Sequence, residues 1–301
     1  MPAAWAHTPG SAPPSPESAA AFGDLAWNPR PEVMLLLLMA TGLYAVGWWR
    51  LSRRASTPIA RTRVGLALGG LLALALALVS PLDGLADRLF VAHMLQHMLL
   101  IAVAAPALLL ADPFPIIVWA LPDAVRVRAG RWLTRASPLG RVWGGLTTMR
   151  VTWIGYALVL WGWHIPVVYD AALSDRLVHD VEHLTFFMGA VLFWWPVIHP
   201  APRFGRSVPH AIRIVYLVLA AFQTAALGLL LTLAPVVLYR SYATAERPEG
   251  LSALDDQVWG GVVMWGLGGL IDMLAVLVLL YRYLSLGARP RLAASSADLP
   301  S

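Results

Sequence analysis

Two histidines stand four residues apart in HMLQHMLL, residues 93–100, inside a run otherwise suited to a hydrocarbon core. A second pair with the same spacing, His179 and His183, lies in LVHDVEHLTFF, and His164 falls near the start of HIPVVYD. Helical positions four apart share a face, so each pair can present two imidazoles to one ion. Polar side chains in lipid are costly and mark function more often than not. Three chemistries suit the pattern: a metal or haem site, a buried hydrogen-bonding network, and a proton path. Imidazole pairs accept zinc, iron, haem and copper alike, so the spacing does not name the metal.

Composition limits what else could join such a site. The 301 residues include no cysteine, which excludes thiolate ligands, disulfides and cysteine nucleophiles and leaves His, Met, carboxylate or backbone as donors. Hydrophobic residues make up 58% and charged residues 13% of the chain, with mean hydropathy +0.66, the signature of a polytopic membrane protein. The net charge of +5 therefore concerns membrane orientation, and no nucleic-acid partner is expected. No Gly-rich phosphate loop, Gly-x-Ser-x-Gly or His-Glu-x-x-His occurs, so the chain does not read as an enzyme.

The elements that must hold these side chains are apolar helices. About seven runs can cross a ~30 Å core: 31–49, 64–80, 88–111, 150–168, 178–198, 209–233 and 258–284. The expected fold is an all-α bundle of about seven transmembrane helices over 31–285. A flexible extracytoplasmic tail at 1–30 and a cytoplasmic tail at 286–301 flank it. The run PFPIIVWALP at 113–122 is too short to cross, and the arginine-bearing stretch 112–150 around it is expected at the cytoplasmic interface.

Seventeen of the 22 arginines lie in the connections 50–63, 112–150 and 199–213 and in the C-terminal stretch from residue 282 onward. The positive-inside rule makes these cytoplasmic, with the N-terminus outside and the C-terminus inside. His93, His97, His164, His179 and His183 then share one depth near the outer surface. Around them, Asp87, Gln96 and Glu182 could orient imidazoles, and Met264 could add a thioether. Gly261, Met264, Gly268 and Asp272 share one face of the last helix, which makes Asp272 a deep acid for which Gln223 is the suggested partner.

The segments DRLFVAHMLQHMLLIAVAAPALLL, WGWHIPVVYDAAL, HDVEHLTFFMGAVLFWWP, LYRSYA and LDDQVWGGVVMW resemble, in order and spacing, the CtaG family of cytochrome c oxidase assembly proteins. The resemblance covers residues 80 to 285. It implies a seven-helix bundle in the bacterial plasma (inner) membrane that handles or delivers copper to a haem-copper oxidase subunit during assembly, with a periplasmic copper chaperone as a donor. The family's motif histidines map onto His93, His97, His164, His179 and His183, and its Asp-Gln onto Asp256 and Gln257. Where a second Gln is expected after the first, this sequence has Val258. A haem-binding carrier or electron-transfer subunit, a metal-dependent membrane hydrolase and a metal-free oxidase-binding bundle are the alternatives. Copper is the favoured metal, ahead of haem or zinc.

Overall fold

A computed structural model describes residues 27, 30–54, 60–205 and 207–297. The expected 1–30 tail lies outside the described residues apart from Trp27 and Arg30, as do residues 298–301 of the expected C-terminal tail. Among the described residues the chain is helical, without strands.

Among the described residues six helices are long and apolar enough to cross a membrane: α1 (Pro31–Ser52), α2 (Arg61–Leu78), α4 (Phe90–Leu110), α10 (Arg176–Ile198), α11 (His210–Leu233) and α13, whose spanning part is Ala253–Ser285. Short α3 (Pro81–Ala86) joins α2 to α4. Three more short helices, α5 (Pro113–Ala120), α6 (Asp123–Trp132) and α7 (Pro138–Leu146), occupy the expected interfacial stretch. At ~1.5 Å per residue α5 is too short to span, as its sequence implies.

The expected seventh span is a bent pair of helices. Helix α8 (Met149–Trp163) and helix α9 (Pro166–Ser174) pass as one span only together, with a bend of 73° between them. The cause is Pro166: the residue before a proline is pushed out of the helical region, and Ile165 is extended at φ −65°, ψ 124°. The break leaves His164 as the C-cap of α8. A last short helix, α12 (Arg240–Ala243), lies between α11 and α13.

Helices α4 and α10 form the centre of the bundle, and α1 and α13 its periphery. Each central helix is started by a carboxylate. Asp175 accepts from Leu177 N at 2.8 Å and Val178 N at 3.2 Å to cap α10. For α4 the adjacent Leu89 cannot do this, and Asp256 reaches across from α13 to accept from Phe90 N at 2.8 Å and Val91 N at 3.0 Å. These are orphan donors at a helix N-terminus, where negative charge also meets the positive end of the dipole. A π-helical turn at Leu99–Ala104 follows His97 and ends where Pro106 removes a backbone donor.

Helix α13 packs close to α4 because residue 260 has no side chain: a Cβ there would fall 2.2 Å from Phe90 Cδ1. Met94 and Met98 point the same way. Met94 Cγ lies 3.3 Å from the Cβ position of Gly260, and Met98 Sδ lies 3.6 Å from that of Gly268. Together with Met264 they fill the apolar core. Asp272 is half-buried on α13. The Gln223 amide nitrogen is buried without a hydrogen-bond partner, so the suggested pairing with Asp272 does not form.

Candidate metal centre

The two central helices bring four histidines and one glutamate together. From α4 come His93 and His97, and from α10 come His179, Glu182 and His183, all buried. Ring centroids are 4.3 Å apart within the first pair and 4.2 Å within the second. Across the helices they are 5.2 Å (His93 to His179) and 5.4 Å (His97 to His183). The Glu182 carboxylate lies between, 3.7 Å from His93 Nε2 and 3.8 Å from His97 Nε2.

Two groups of ligand atoms fall within 4.8 Å of one another: His93, His97 and His183, and His93, His179 and Glu182. Because ligands at ~2.0–2.2 Å from an ion sit roughly 3–4 Å from one another, small side-chain shifts would bring either set onto a metal. The donors are nitrogen and carboxylate oxygen throughout, a set suited to copper or zinc. His97 Nδ1, both ring nitrogens of His183, His179 Nε2 and both Glu182 oxygens are buried without a hydrogen-bond partner. Each such group costs ~1–3 kcal/mol. One bound cation would satisfy several of them together.

His164 lies beside this cluster rather than in it. Its Nδ1 donates to Leu160 O at 2.7 Å, leaving Nε2 buried and unpartnered. The rings of Tyr169 and Phe186 are 6.1 and 6.2 Å from it, and 5.2 and 4.5 Å from His93 and His97. Two aromatic rings thus border both His164 and the first histidine pair, His93 and His97.

The residue that orients His93 is Tyr242, for which local sequence suggests no role. His93 Nδ1 is 2.9 Å from the Tyr242 hydroxyl, which donates to Ala86 O at 2.6 Å. Burial pushes that hydroxyl well above the ordinary phenol range, so it keeps its proton. With its one proton committed to Ala86, the hydroxyl can only accept from His93, which places the imidazole proton on Nδ1 and frees Nε2 as a ligand. His93 Nε2 then accepts from His97 Nε2 at 2.9 Å, the contact that an ion would replace.

The remaining residues suggested as supports hold helices rather than rings. Gln96 donates from Nε2 to Ala77 O at 2.7 Å and to Asp83 Oδ1 at 2.9 Å, tying α4 to α2 and α3. Asp83 is buried, whereas Asp87, four residues later, is exposed, so the carboxylate next to the histidine helix is Asp83. Asp256 caps α4. Gln257 accepts from Leu238 N at 2.7 Å and donates to Val236 O at 3.1 Å, pinning the segment that carries Tyr239 and Tyr242. Tyr239 stacks on Tyr169 at 4.0 Å and Phe90 at 5.2 Å. Asp170 holds the start of α12 through Ser241 N at 3.0 Å and Ser241 Oγ at 2.8 Å. The signal for these aromatic residues was present in VVYD and LYRSYA, but their partners lie far away in sequence.

The family model for the cytochrome c oxidase caa3 assembly factor (Caa3_CtaG) matches residues 42–285, which include every residue of the cluster. The chain belongs to this family. Two curated proteins from mycobacteria resemble it: Mb0105 of Mycobacterium bovis and MT0111 of Mycobacterium tuberculosis, both described as uncharacterized proteins. Each is 28% identical over 263 residues, with 82% of this chain and 37% of the relative covered. The chain thus spans little more than a third of the length of these relatives. No solved structure matches it. As a Caa3_CtaG member it carries its histidine cluster on the two helices at the centre of the bundle.

Proposed function

We propose that this chain is a membrane-embedded assembly factor that binds copper at the four-histidine cluster and hands it to a haem-copper oxidase subunit. The observation that carries the reading is the convergence of His93, His97, His179, His183 and Glu182, with most of their polar atoms buried and unpartnered. A redox-active ion bound without thiolates suits an oxidising compartment, and family membership supplies the oxidase. A chaperone of that compartment would be the copper donor. The role is one of carriage rather than turnover.

The site has more donors than one ion needs. His93 belongs to both triads, so an ion can exchange ligands about it while it passes from the His97 and His183 side to the His179 and Glu182 side. Such overlap favours transfer over permanent storage. A haem suits the site less well, because rings packed at 4.2 to 5.4 Å leave no slot for a porphyrin among the four histidines. The arginine distribution supports a reading in which the chain sits in a bacterial plasma membrane with this cluster towards the outside and the C-terminus within.

Copper titration of the purified full chain, under reducing and oxidising conditions, tests the reading. Saturable binding that His97→Ala and His183→Ala abolish is expected. Absence of binding in both conditions would remove the copper role while leaving family membership intact.

A further inference from the structure

Helix α1 links two sites at opposite ends of the bundle. At its start Arg30 pairs with Asp180, next to His179. At its other end, ~33 Å away by helical rise, Trp49, Arg50, Arg53 and Arg54 face Trp119 and Arg126 across a 420 Å³ pocket. A Cβ on Gly47 would fall 2.0 Å from Ile116 O, so α1 and α5 are in backbone contact just above the pocket and fix its walls.

The guanidinium groups are positioned rather than loose. Arg50 donates to Ala120 O at 3.0 Å at the end of α5. Arg53 lies over the Trp49 ring at 4.3 Å, while Arg126 and Arg54 lie over Trp119 at 4.3 and 5.7 Å. Among the described residues Asp123 is the one acid lining the pocket, and it pairs with Arg126 at 2.8 Å. Arg50, Arg53 and Arg54 have no ion pair among the described residues. Their charges converge on a concavity within the ~300–1,000 Å³ range of ligand pockets.

Arginine forks match phosphate oxygens in pairs, and tryptophans favour the level of lipid head groups. A solvated, topology-setting arginine cluster needs neither stacked rings nor a walled cavity. We propose that this pocket binds the phosphate-bearing head group of an anionic phospholipid, whose acyl chains lie along the exposed apolar face of α1. Basic pockets beside transmembrane helices serve such lipids elsewhere.

The test is thermal unfolding of the full chain in neutral detergent with added dioleoylphosphatidylglycerol, dioleoylphosphatidylcholine or sodium phosphate. Phosphatidylglycerol is expected to raise the midpoint by several degrees, phosphatidylcholine and phosphate at equal concentration by little. The shift should vanish in a variant carrying Arg50→Gln, Arg53→Gln and Arg126→Gln, and persist in one carrying Arg128→Gln and Arg141→Gln. Because the Arg53 guanidinium stacks on Trp49 and makes no ion pair among the described residues, Arg53→Gln alone gives a second, milder reading and should reduce the shift. Equal shifts with phosphatidylcholine, or a full shift in the pocket variant, would overturn the proposal. Full reproduction by phosphate would assign the pocket to a free anion, and loss in the Arg128/Arg141 variant would reduce the effect to bulk charge.

Discussion

His93 and Tyr242 are 149 residues apart and meet at 2.9 Å, while the tyrosine hydroxyl donates its hydrogen bond to Ala86 O. This pair decides which nitrogen of the central histidine is free to bind a metal. Tyr242→Phe removes the acceptor while keeping the ring. Removing a group that orients a ligand costs ~10- to 100-fold in metal affinity. A copper titration of the variant should show a loss of that size, with the helical circular dichroism signal unchanged.

Glu182 has the opposite balance of stability and binding. It is buried with both oxygens unpartnered, and isolating a carboxylate in this way is costly. Glu182→Gln should leave the metal-free protein at least as thermally stable as the wild type and weaken its copper binding. A variant with unchanged affinity would remove Glu182 from the site.

Asp256 acts through a helix. Losing an N-cap costs ~0.5–2 kcal/mol, and Asp256→Ala also leaves Phe90 N and Val91 N without their partner. A lowered unfolding midpoint is expected, with weaker copper binding because α4 carries His93 and His97.

Gly260→Ala tests the packing of α13 on α4. Its Cβ would lie 2.2 and 2.5 Å from Phe90 ring atoms, so the ring must move. Overpacking of this kind costs ~1–3 kcal/mol. Because Phe90 also stacks on Tyr239, the loss of thermal stability should come with a change in near-ultraviolet circular dichroism from the tyrosine cluster.

Proton competition provides a pH test. Imidazole binds a metal only when the ligating nitrogen is bare, so metal uptake releases protons and acid favours release. Copper affinity should rise as the pH is raised from the acid side, as the ligating nitrogens lose their protons. Affinity unchanged on acidification, down to the pH at which the fold is lost, would point to a site without histidine.

The sequence made visible whatever depends on local periodicity. Apolar length identified the spans, and the i, i+4 spacing of His93 with His97 and of His179 with His183 placed each pair on one face. The bend between α8 and α9 was also written locally, in Ile165-Pro166, although the run 150–168 read as a straight span. Less legible were contacts between distant segments. Asp256 caps α4 from 166 residues away, and Tyr242 reaches His93 over 149. A polar side chain near a helix end looks the same whether it faces solvent or closes a remote backbone, and for that reason exposed Asp87 drew attention ahead of buried Asp83. Met264 reads from the sequence as a possible thioether ligand, but it packs in the apolar core with Met94 and Met98, which lie against Gly260 and Gly268 of α13.

The most direct test of the central claim is copper analysis of the purified full chain beside His93→Ala, the histidine shared by both triads. The account predicts stoichiometric copper in the wild type and its loss in the variant, with both proteins folded. A folded wild type that takes up no copper, or a His93→Ala variant that retains all of it, would contradict the account.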